Sequence, residues 1–455
     1  MSSDVIAAIC TPLTAAAIGI IRISGDDALN TAKRVFKPIS DDKDITAMSG
    51  YTAAFGHVFD ENGEFDEGIV TVFHAPHSYT GENVAEISLH GGEAVLKRTM
   101  RALIKNGARQ AAAGEFTKRA FLNGKMSLTE AESVMDIISA EGNDALQCAI
   151  NVKNGAVYRK IHKLCDRLTY LQASAVQNID FPEEGVDDYD YSALGQGLND
   201  VLCSLNTLID DFDNGRKIRS GIDCAIVGRP NVGKSTLMNL MSAADRSIVT
   251  PIAGTTRDII EETVEIDGIT LRLSDTAGIR TSGDLVESIG VDKARECIKS
   301  AQLILAVFSA DEPLCEDDFD VLESIKDRPS VIILNKTDLG VGNVLLILEK
   351  YGKVIPISAK TGEGYDELKA AIVSYVGKNR ISADSVYLAN ERQLADAVSA
   401  RDKLNDAIYA LQNGLTLDAV TVTVESAIES LLDLTGERAS DAVIAQVFEK
   451  FCVGK

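Results

Sequence analysis

The segment DCAIVGRPNVGKS, residues 223–235, decides the fold of the central part of the chain. DCAIVG is an apolar run typical of a buried strand, and a helix is predicted from Lys234 onward. Between them, GRPNVGKS (228–235) matches a phosphate-binding loop that joins a strand to a helix. Gly228 and Gly233 allow backbone N–H groups to converge on a phosphate, and the helix N-terminus adds partial positive charge.

Strands and helices alternate around this loop, from about residue 216 to 379. The strands ITLRLSD, LILAVFSA, VIILNK and VIPISA follow it, with a helix predicted from about Val286 after the first of them. Asp267-Gly268 predicts a hairpin with one antiparallel edge pair. This alternation predicts a mostly parallel, doubly wound α/β sheet. Ligands of such sheets bind at the carboxyl ends of the strands, where the motifs lie.

Three further motifs follow the loop in order. DTAG (275–278) ends a strand, where Asp275 can hold Mg²⁺ through water and Gly278 can meet a γ-phosphate. NKTD (335–338) places the carboxylate of Asp338 where it can accept the N1–H and N2–H₂ of guanine, a donor pair that adenine lacks. SAK (358–360) would line the base from the other side. Together the motifs predict a P-loop GTPase.

The candidate GTP-binding residues lie in these motifs and in the loop TPIAGTTRD (250–258), which predicts an order–disorder switch, with a plain surface loop as the alternative. Lys234 would neutralise the β- and γ-phosphates, Ser235 would bind Mg²⁺, and either Thr255 or Thr256 would complete its coordination. The full predicted set is Asn231, Val232, Gly233, Lys234, Ser235, Thr236, Thr255, Thr256, Asp275, Thr276, Ala277, Gly278, Asn335, Lys336, Asp338, Ser358, Ala359 and Lys360.

The flanks of this domain differ from it and from each other. Residues 1–118 contain short β-rich runs, a hairpin predicted at Asn62-Gly63 and one helix from about Glu93 to Lys105, and they predict an α+β domain. Residues 119–215 and 380–455 have the three- and four-residue apolar spacing of long amphipathic helices. We expect these two segments to form one all-α domain into which the GTPase domain, 216–379, is inserted.

Composition sets the broad class of the protein. The chain has 455 residues, 45% hydrophobic and 25% charged, which indicates an ordinary globular protein of two to three domains. No apolar run is long enough for a membrane span, and the start has no signal-peptide pattern, so we expect a cytoplasmic protein without a membrane partner. Eight scattered cysteines indicate reduced thiols.

A net charge of −23 argues against binding DNA or RNA with the whole surface. One basic stretch stands out against that charge, from Lys97 to Lys125, with Glu115 as its single acid. It is either a solvated helix face and loop or a binding site for a polyanion or a small ligand's carboxylates.

Longer motifs across the whole chain resemble the MnmE/TrmE family of tRNA-modification GTPases. They are SYTGENVAEISLHGG (78–92), GEFTKRAFLNGK (114–125), IDFPEE (179–184), GRPNVGKST, GTTRD (254–258), DTAGIR (275–280) and the terminal FCVGK. Two segments depart from the family pattern: TPLTAAAIG, where members commonly read TPPG, and AAGEF, where they read APGEF.

The resemblance implies a homodimer through an N-terminal tetrahydrofolate-binding domain. It also implies an FAD-binding flavoprotein partner of the MnmG/GidA type, and folate-dependent addition of an aminomethyl-type group to the wobble uridine of certain tRNAs. The implied carbon carrier is 5,10-methylene- or 5-formyl-tetrahydrofolate. The implied folate-binding residues are Arg22, Glu82, Lys125 and Lys455, and Cys452 falls on the family's terminal cysteine, for which a catalytic role is a hypothesis.

The resemblance further implies a GTPase that is activated by K⁺ and dimerisation. Its implied K⁺ site is formed by Asn231, Thr250, Ile252 and Thr255, with Thr256 left to Mg²⁺. Ile279 stands where many GTPases have a water-positioning glutamine, and its side chain has no hydrogen-bonding atom. Glu287 matches the family's water-orienting glutamate.

Two other functions remain open from the sequence. One is a ribosome-assembly GTPase that acts as an RNA-binding switch without one-carbon chemistry, although the acidic helical flanks supply no basic RNA-binding module. The other is a structural dimer scaffold with a residual GTPase.

Overall fold

The computed structural model describes residues 4–40, 42–180, 190–244, 261–275, 301–376, 386–449, 451 and 454. The chain forms two compact units. The first comprises Met1–Met135, Tyr158–Leu202 and Ala395–Lys455, and the second comprises Asp136–Val157 and Cys203–Leu394. In the part of the chain that is described, no helix is long and apolar enough to cross a membrane.

The first unit contains a mixed sheet, and among the described residues it has the strand order β3-β4-β5-β6-β2-β1-β7. Its strands are β1 (Ile6–Ile9), β2 (Ala16–Ser24), β3 (Phe36–Pro38), β4 (Thr52–Asp60), β5 (Gly63–Phe73), β6 (Val84–Gly91) and β7 (Arg109–Gln110). β1 and β7 run parallel, and the other neighbours are antiparallel.

Helices α1 (Ala28–Lys33) and α2 (Glu93–Lys105) cover one face of this sheet. Side chains of alternate residues therefore form the core on that face, including Ile21, Val70 and Ile87 against Leu96 of α2. The predicted α+β character of this part of the chain is confirmed.

The predicted hairpin turn at Asn62-Gly63 is wrong by one residue. Asp60 pairs with Gly63, so the two turn residues are Glu61 and Asn62, and Gly63 is the first residue of β5. A register irregularity at Val58 and Phe59 offsets the strand, and Oδ1 of Asp60 accepts the N–H of Asn62 at 2.9 Å. This hydrogen bond stabilises the turn at Glu61-Asn62, one residue before the position that the Asn-Gly pair predicts.

The rest of the described chain outside the sheets is largely helical, as the apolar spacing predicted. These helices are α3 (Glu115–Leu122), α4 (Leu128–Ser139), α5 (Asn143–Lys153), α6 (Ala156–Asp180), α7 (Tyr191–Asp210), α8 (Phe212–Ser220), α9 (Lys234–Ala244), α10 (Glu316–Ile325), α11 (Val344–Leu348), α12 (Tyr365–Val376), α13 (Glu391–Gln412), α14 (Leu417–Thr435) and α15 (Asp441–Glu449).

The end of the chain packs within the first unit. Phe448 of α15 and Phe451 join a buried cluster with Leu128 of α4. The carbonyl oxygen of Gly454 accepts a hydrogen bond from Sγ of Cys10 at 3.3 Å. Gly454 is therefore in contact with the residue that follows the first strand.

The second unit contains a six-stranded sheet within the described ranges, with the order β13-β12-β11-β8-β10-β9. Its strands are β8 (Ile222–Val227), β9 (Glu261–Ile266), β10 (Ile269–Asp275), β11 (Leu303–Ser309), β12 (Ser330–Asn335) and β13 (Val354–Pro356). All neighbours are parallel except β9 and β10, which are joined at Asp267-Gly268. The predicted α/β sheet with one antiparallel edge pair is confirmed.

Helix α5 belongs to this second unit and contacts the tip of the β9–β10 hairpin. The N–H of Asp144 donates to the carbonyl oxygen of Gly268 at 3.3 Å, and Nδ2 of Asn143 donates to Oε1 of Glu265 at 2.8 Å. The two compact units therefore divide the chain at points that differ from the domain boundaries expected from composition. Those domain boundaries stay predictions. The helix predicted from about Val286 lies outside the described residues.

Candidate guanine-nucleotide site

The P-loop joins β8 directly to α9, which begins at Lys234 as predicted. Gly228 and Gly233 adopt φ values of 148° and 97°. A Cβ on Gly228 would lie 2.3 Å from the carbonyl oxygen of Val307, and one on Gly233 would lie 2.2 Å from Nδ2 of Asn335. Glycine is therefore required at both positions by backbone conformation and by space.

The ammonium group of Lys234 is buried within this loop. The residue is only 6% exposed, and Nζ donates to the carbonyl oxygens of Gly228 at 2.6 Å and Arg229 at 2.9 Å. Ser235 and Thr236 are exposed in the first turn of α9, next to backbone N–H groups that have no partner within the helix. This end of the sheet therefore presents a cation and helix N–H donors, the groups that bind phosphate.

Asn335 connects three of the predicted motifs. Its Nδ2 donates to the carbonyl oxygen of Val232 at 2.9 Å, and its Oδ1 accepts the N–H of Ala359 at 3.0 Å. The residue is 2% exposed, so both hydrogen bonds are shielded from water. Asn335 therefore joins the P-loop, NKTD and SAK segments at one place, as their positions after the strands predicted. The sequence motif alone had indicated only a role beside the base for this residue.

Asp338 and Ser358 form the edge of the site expected to face a base. Oγ of Ser358 donates to Oδ1 of Asp338 at 2.7 Å, and this serine is buried while Asp338 is exposed. Lys360 is also exposed. One carboxylate oxygen of Asp338 is therefore oriented by the protein, and the carboxylate remains accessible to a ligand.

Two further residues surround Lys336, which has a φ of 64°. Its Nζ lies 3.1 Å from Oδ2 of Asp311, and Ser309 also donates to that carboxylate. The hydrogen bonds from Ser309 and Lys336 lower the pKa of Asp311. Sequence reasoning missed both residues, although their position just after the strand LILAVF at the carboxyl edge of the sheet was a usable signal.

A second cluster surrounds Arg22 in the N-terminal sheet. Nε of Arg22 lies 2.7 Å from Oε1 of Glu86, and its guanidinium lies 5.0 Å and 5.6 Å from the ring centroids of Tyr79 and Phe116. Its Nη1 is buried with no hydrogen-bond partner among the described residues. Burial raises the pKa of Tyr79. This cluster therefore contains a buried donor that the described protein atoms leave unsatisfied.

Glu82 does not contact Arg22 directly. Its Oε2 accepts from Ser24 at 2.7 Å and lies 3.1 Å from Nη1 of Arg119. Lys125 donates to the carbonyl oxygen of Pro76 at 2.9 Å. Arg119 and Ser24 were missed by the sequence analysis, since they contact Glu82 from distant positions in the chain.

The basic stretch 97–125 is largely neutralised by acids. Its ion pairs are Lys97–Glu93, Arg98–Asp60, Lys105–Glu61, Arg109 with Asp4 and Glu115, and Arg119 with Asp4, Glu82 and Glu115. The hydrogen bond from Arg109 also lowers the pKa of Asp4. The described contacts therefore favour the structural interpretation of this stretch over a polyanion site.

Several predicted site residues lie outside the described part of the chain. They are Thr250, Ile252, Thr255, Thr256, Thr276, Ala277, Gly278, Glu287, Cys452 and Lys455. Asp275 is the last residue of β10, at the same edge of the sheet as the P-loop.

Family models and relatives cover the chain at high similarity. The MnmE helical domain model matches residues 128–452, and the model of the GTP-binding protein TrmE N-terminus matches residues 5–125. The chain is 40% identical over 458 residues to the tRNA modification GTPase MnmE of Lacticaseibacillus paracasei, covering 99% of this chain and 98% of that protein. It is 39% identical over 457 residues to the tRNA modification GTPase MnmE of Clostridioides difficile, covering 99% of each.

Among solved structures, Era of Aquifex aeolicus bound to GDP and AlF4⁻ is 29% identical, with a TM-score of 0.29, over 40% of this chain and 66% of that one. The phosphate- and base-facing motifs meet at one edge of the α/β sheet, and the relatives match over nearly the whole length. The chain therefore belongs to the MnmE family of tRNA modification GTPases and is a GTP hydrolase.

Proposed function

We propose that this GTPase, with an FAD-binding flavoprotein of the MnmG/GidA type, drives folate-dependent addition of a carboxymethylaminomethyl group to C5 of the wobble uridine of certain tRNAs. The observation that carries the folate part of the proposal is the unsatisfied, buried Nη1 of Arg22. Relatives that match over the full chain are named for tRNA modification, which supports tRNA as the substrate.

In the GTPase site, Lys234 binds the β- and γ-phosphates and Asp338 reads guanine. Lys234 is already held at the mouth of the P-loop by the carbonyl oxygens of Gly228 and Arg229. Asp338 retains an accessible carboxylate beside Ser358, as recognition of two N–H groups of guanine requires. Ser235 and Thr256 would hold Mg²⁺, which would offset the negative charge of the phosphates.

The cluster around Arg22 fits a tetrahydrofolate. Folate has carbonyl and carboxylate groups that accept from a guanidinium, and a pteridine ring that packs on aromatic side chains. Arg22 supplies the donor and Tyr79 supplies an aromatic ring beside it, whereas Phe116 is fully buried and supports the guanidinium from within the core. Glu82 and Lys125 lie on the segments around the same part of the sheet, and Lys455 is assigned to the ligand by the family match. Bound folate would supply the one-carbon unit.

The homodimer forms through the face of the N-terminal sheet that α1 and α2 do not cover. Ile18, Phe55 and Ile69 lie on that face and are 61%, 48% and 45% exposed. Phe55 is directly opposite Ile69 across β4 and β5. Exposed apolar side chains that share a sheet face are typical of a surface buried in an assembly. Arg22 projects from the same face, so dimerisation would bring the folate cluster near the interface.

GTP hydrolysis is assisted by K⁺ and by Glu287. Asn231, exposed within the P-loop with a φ of 65°, would contact K⁺ together with Thr250, Ile252 and Thr255. A cation beside the phosphates offsets charge that develops in the transition state. Glu287, which matches the family's water-orienting glutamate, would orient the attacking water, a task for which the side chain of Ile279 has no group. Cys452 remains a candidate for a catalytic thiol of unassigned role.

The protein acts in the cytoplasm under this proposal. Burial raises the pKa of Cys148 to about 11 and of Cys165 to about 12, so these thiols are protonated and unreactive at neutral pH. Cys148 and Cys165 are also free thiols, and free thiols in place of disulfides are typical of a reducing compartment.

The deciding experiment is nucleoside analysis of tRNA from a strain that lacks this protein, with and without the gene restored. We expect loss of the aminomethyl-type wobble uridine and its return on complementation. Unchanged tRNA with accumulating ribosomal precursors would instead support the ribosome-assembly alternative. Folate binding by the purified chain distinguishes the proposal from that alternative and from a structural scaffold.

A further inference from the structure

Arg229, the second residue of the P-loop motif, is held by acids from another part of the sheet edge. Its Nη2 lies 2.7 Å from Oε2 of Glu312, and its Nε lies 3.4 Å from Oδ2 of Asp318. The Asp318 side chain is 1% exposed and that of Arg229 is 16% exposed, whereas Glu312 is 53% exposed. Asp318 is therefore the buried partner of a charge that belongs to the nucleotide loop.

Asp318 is itself fixed in place. Its Oδ2 accepts the N–H of Cys315 at 3.0 Å, and together they form the capping box of α10. Nη1 of Arg229 also reaches Sγ of Cys315 at 3.7 Å. Since a capping box is part of a helix end, the guanidinium of Arg229 contacts a rigid element at Asp318 in addition to the exposed side chain of Glu312.

Arg229 in turn positions Lys234. The carbonyl oxygen of Arg229 accepts Nζ of Lys234 at 2.9 Å, beside that of Gly228 at 2.6 Å. The direction of that carbonyl depends on the backbone of Arg229, whose side chain is held by the two acids. A chain of contacts therefore leads from α10 through Arg229 to the ammonium of Lys234.

We propose that Asp318, assisted by Glu312, is a positioning residue for phosphate binding that acts through Arg229 on Lys234. This inference rests on the proposed role of Lys234 in contacting the β- and γ-phosphates. This role has a specific consequence. Loss of the Asp318 charge lowers the affinity for nucleotides that carry a β-phosphate and leaves the affinity for GMP, which has none, unchanged. A general defect of folding would weaken all guanine nucleotides alike.

The test compares Asp318→Asn with Asp317→Asn in the full-length protein. Asparagine retains an oxygen that accepts the N–H of Cys315, so the helix cap is kept while the charge opposite Arg229 is removed. Asp317 is an exposed acid on the same helix turn and is the matched control. Affinities for GDP and GMP are measured by competition against a fluorescent GDP analogue.

We expect Asp318→Asn to lower the affinity for GDP about 10-fold or more, the scale of the loss when a partner that orients a binding group is removed. GMP affinity should change less than 2-fold, and Asp317→Asn should change neither affinity. An equal loss for GDP and GMP, or an unchanged GDP affinity, would overturn the proposal. If Asp318→Asn does not fold, Glu312→Gln at the exposed partner supplies the same comparison, with a smaller selective loss expected.

Two further experiments test the positioning role of Asp318 and the phosphate-binding role of Lys234 separately: the double variant of Arg229 and Asp318, and Lys234→Ala. Arg229→Gln alone should reproduce the selective loss, and adding Asp318→Asn should have little further effect because both act through one contact. Additive losses would contradict a shared path. Lys234→Ala should weaken GDP and spare GMP. If Lys234→Ala leaves the GDP affinity unchanged, Lys234 does not bind the phosphates and the assignment of the site is wrong. If Lys234→Ala lowers the GDP affinity but Asp318→Asn does not, only the positioning role of Asp318 is rejected.

Discussion

The hydroxyl of Ser358 orients one carboxylate oxygen of Asp338 through a 2.7 Å hydrogen bond, at the edge of the site where a guanine base is expected. Asp338→Asn removes the acceptor for one of the two guanine N–H donors and introduces a donor in its place. We expect GTP affinity to fall about 10²-fold or more, because the base then meets an unpaired polar group. Affinity for XTP should rise, since xanthine has a carbonyl where guanine has its amine.

Titration of GTP and XTP with both proteins checks this prediction, and the ratio of the two affinities is independent of the active fraction. Asp320→Asn, which changes an exposed acid on α10, is the control and should leave the ratio unchanged. A ratio that stays constant in Asp338→Asn would remove Asp338 from base recognition.

The second prediction concerns Asn335. Asn335→Ala leaves the carbonyl oxygen of Val232 and the N–H of Ala359 without their partner in a buried setting. Each unsatisfied group costs about 1–3 kcal/mol, so we expect lower thermal stability of the GTPase part together with weaker GDP binding. Calorimetry and GDP titration measure both. Asn343→Ala, at an exposed helix start without a side-chain cap bond, is the control.

The third prediction concerns folate. Arg22→Ala should weaken binding of 5-formyl-tetrahydrofolate by about 1.5–3 kcal/mol, the contribution of a hydrogen bond to a charged group, which is about 10- to 150-fold in Kd. Isothermal titration measures this change. Arg98→Ala is the matched control, because Arg98 also pairs with an acid, Asp60, and lies 4.2 Å from the centroid of Phe65. Undiminished affinity in Arg22→Ala would locate the folate site elsewhere.

The fourth prediction concerns the dimer. Ile69→Asp places a charge on the uncovered sheet face, directly opposite the exposed ring of Phe55. An uncompensated charge buried at an interface costs about 3–5 kcal/mol, so the dimer should dissociate at micromolar concentration. Sedimentation velocity compares it with Leu346→Asp, an equally drastic change at a residue that is 64% exposed on α11. A monomer in both variants, or a dimer in both, contradicts this interface.

The fifth prediction concerns hydrolysis itself. Glu287→Ala should leave GTP affinity nearly unchanged and lower turnover by about 10²-fold or more, the scale of a positioned catalytic group. Replacing K⁺ by Na⁺ should slow the original enzyme independently, since a smaller ion fits a K⁺ site poorly. Single-turnover assays in each salt measure both effects. Equal turnover of the variant and the original in K⁺ would mean that another group aligns the water.

Local signals in the sequence predicted much of this fold. The first helical residue after the P-loop, Lys234, and the two-residue turn at Asp267-Gly268 were predicted to the residue. Helix α2 has the predicted bounds, Glu93–Lys105. Each of these features depends on residues within a few positions of one another, where glycine, charge and apolar spacing determine the backbone.

Contacts between distant residues were not predictable in the same way. Arg119 lies 115 residues after Asp4 and 37 after Glu82, yet it contacts both, which turns an apparent basic patch into a neutralised network. The role of Asn335 in joining the P-loop to Ala359 likewise depends on strands meeting at one sheet edge. Charge patterns along one segment contain no information about such partners.

The hydrogen bond between Gly454 and Cys10 also dictates an order of assembly during synthesis. Gly454 follows every strand of the nucleotide-binding sheet along the chain, so the segment beside β1 acquires this neighbour only after that sheet has been synthesised. The second compact unit ends at Leu394 and emerges earlier. The nucleotide-binding sheet can therefore form before the N-terminal sheet, although that sheet is made first, acquires its contact with Gly454.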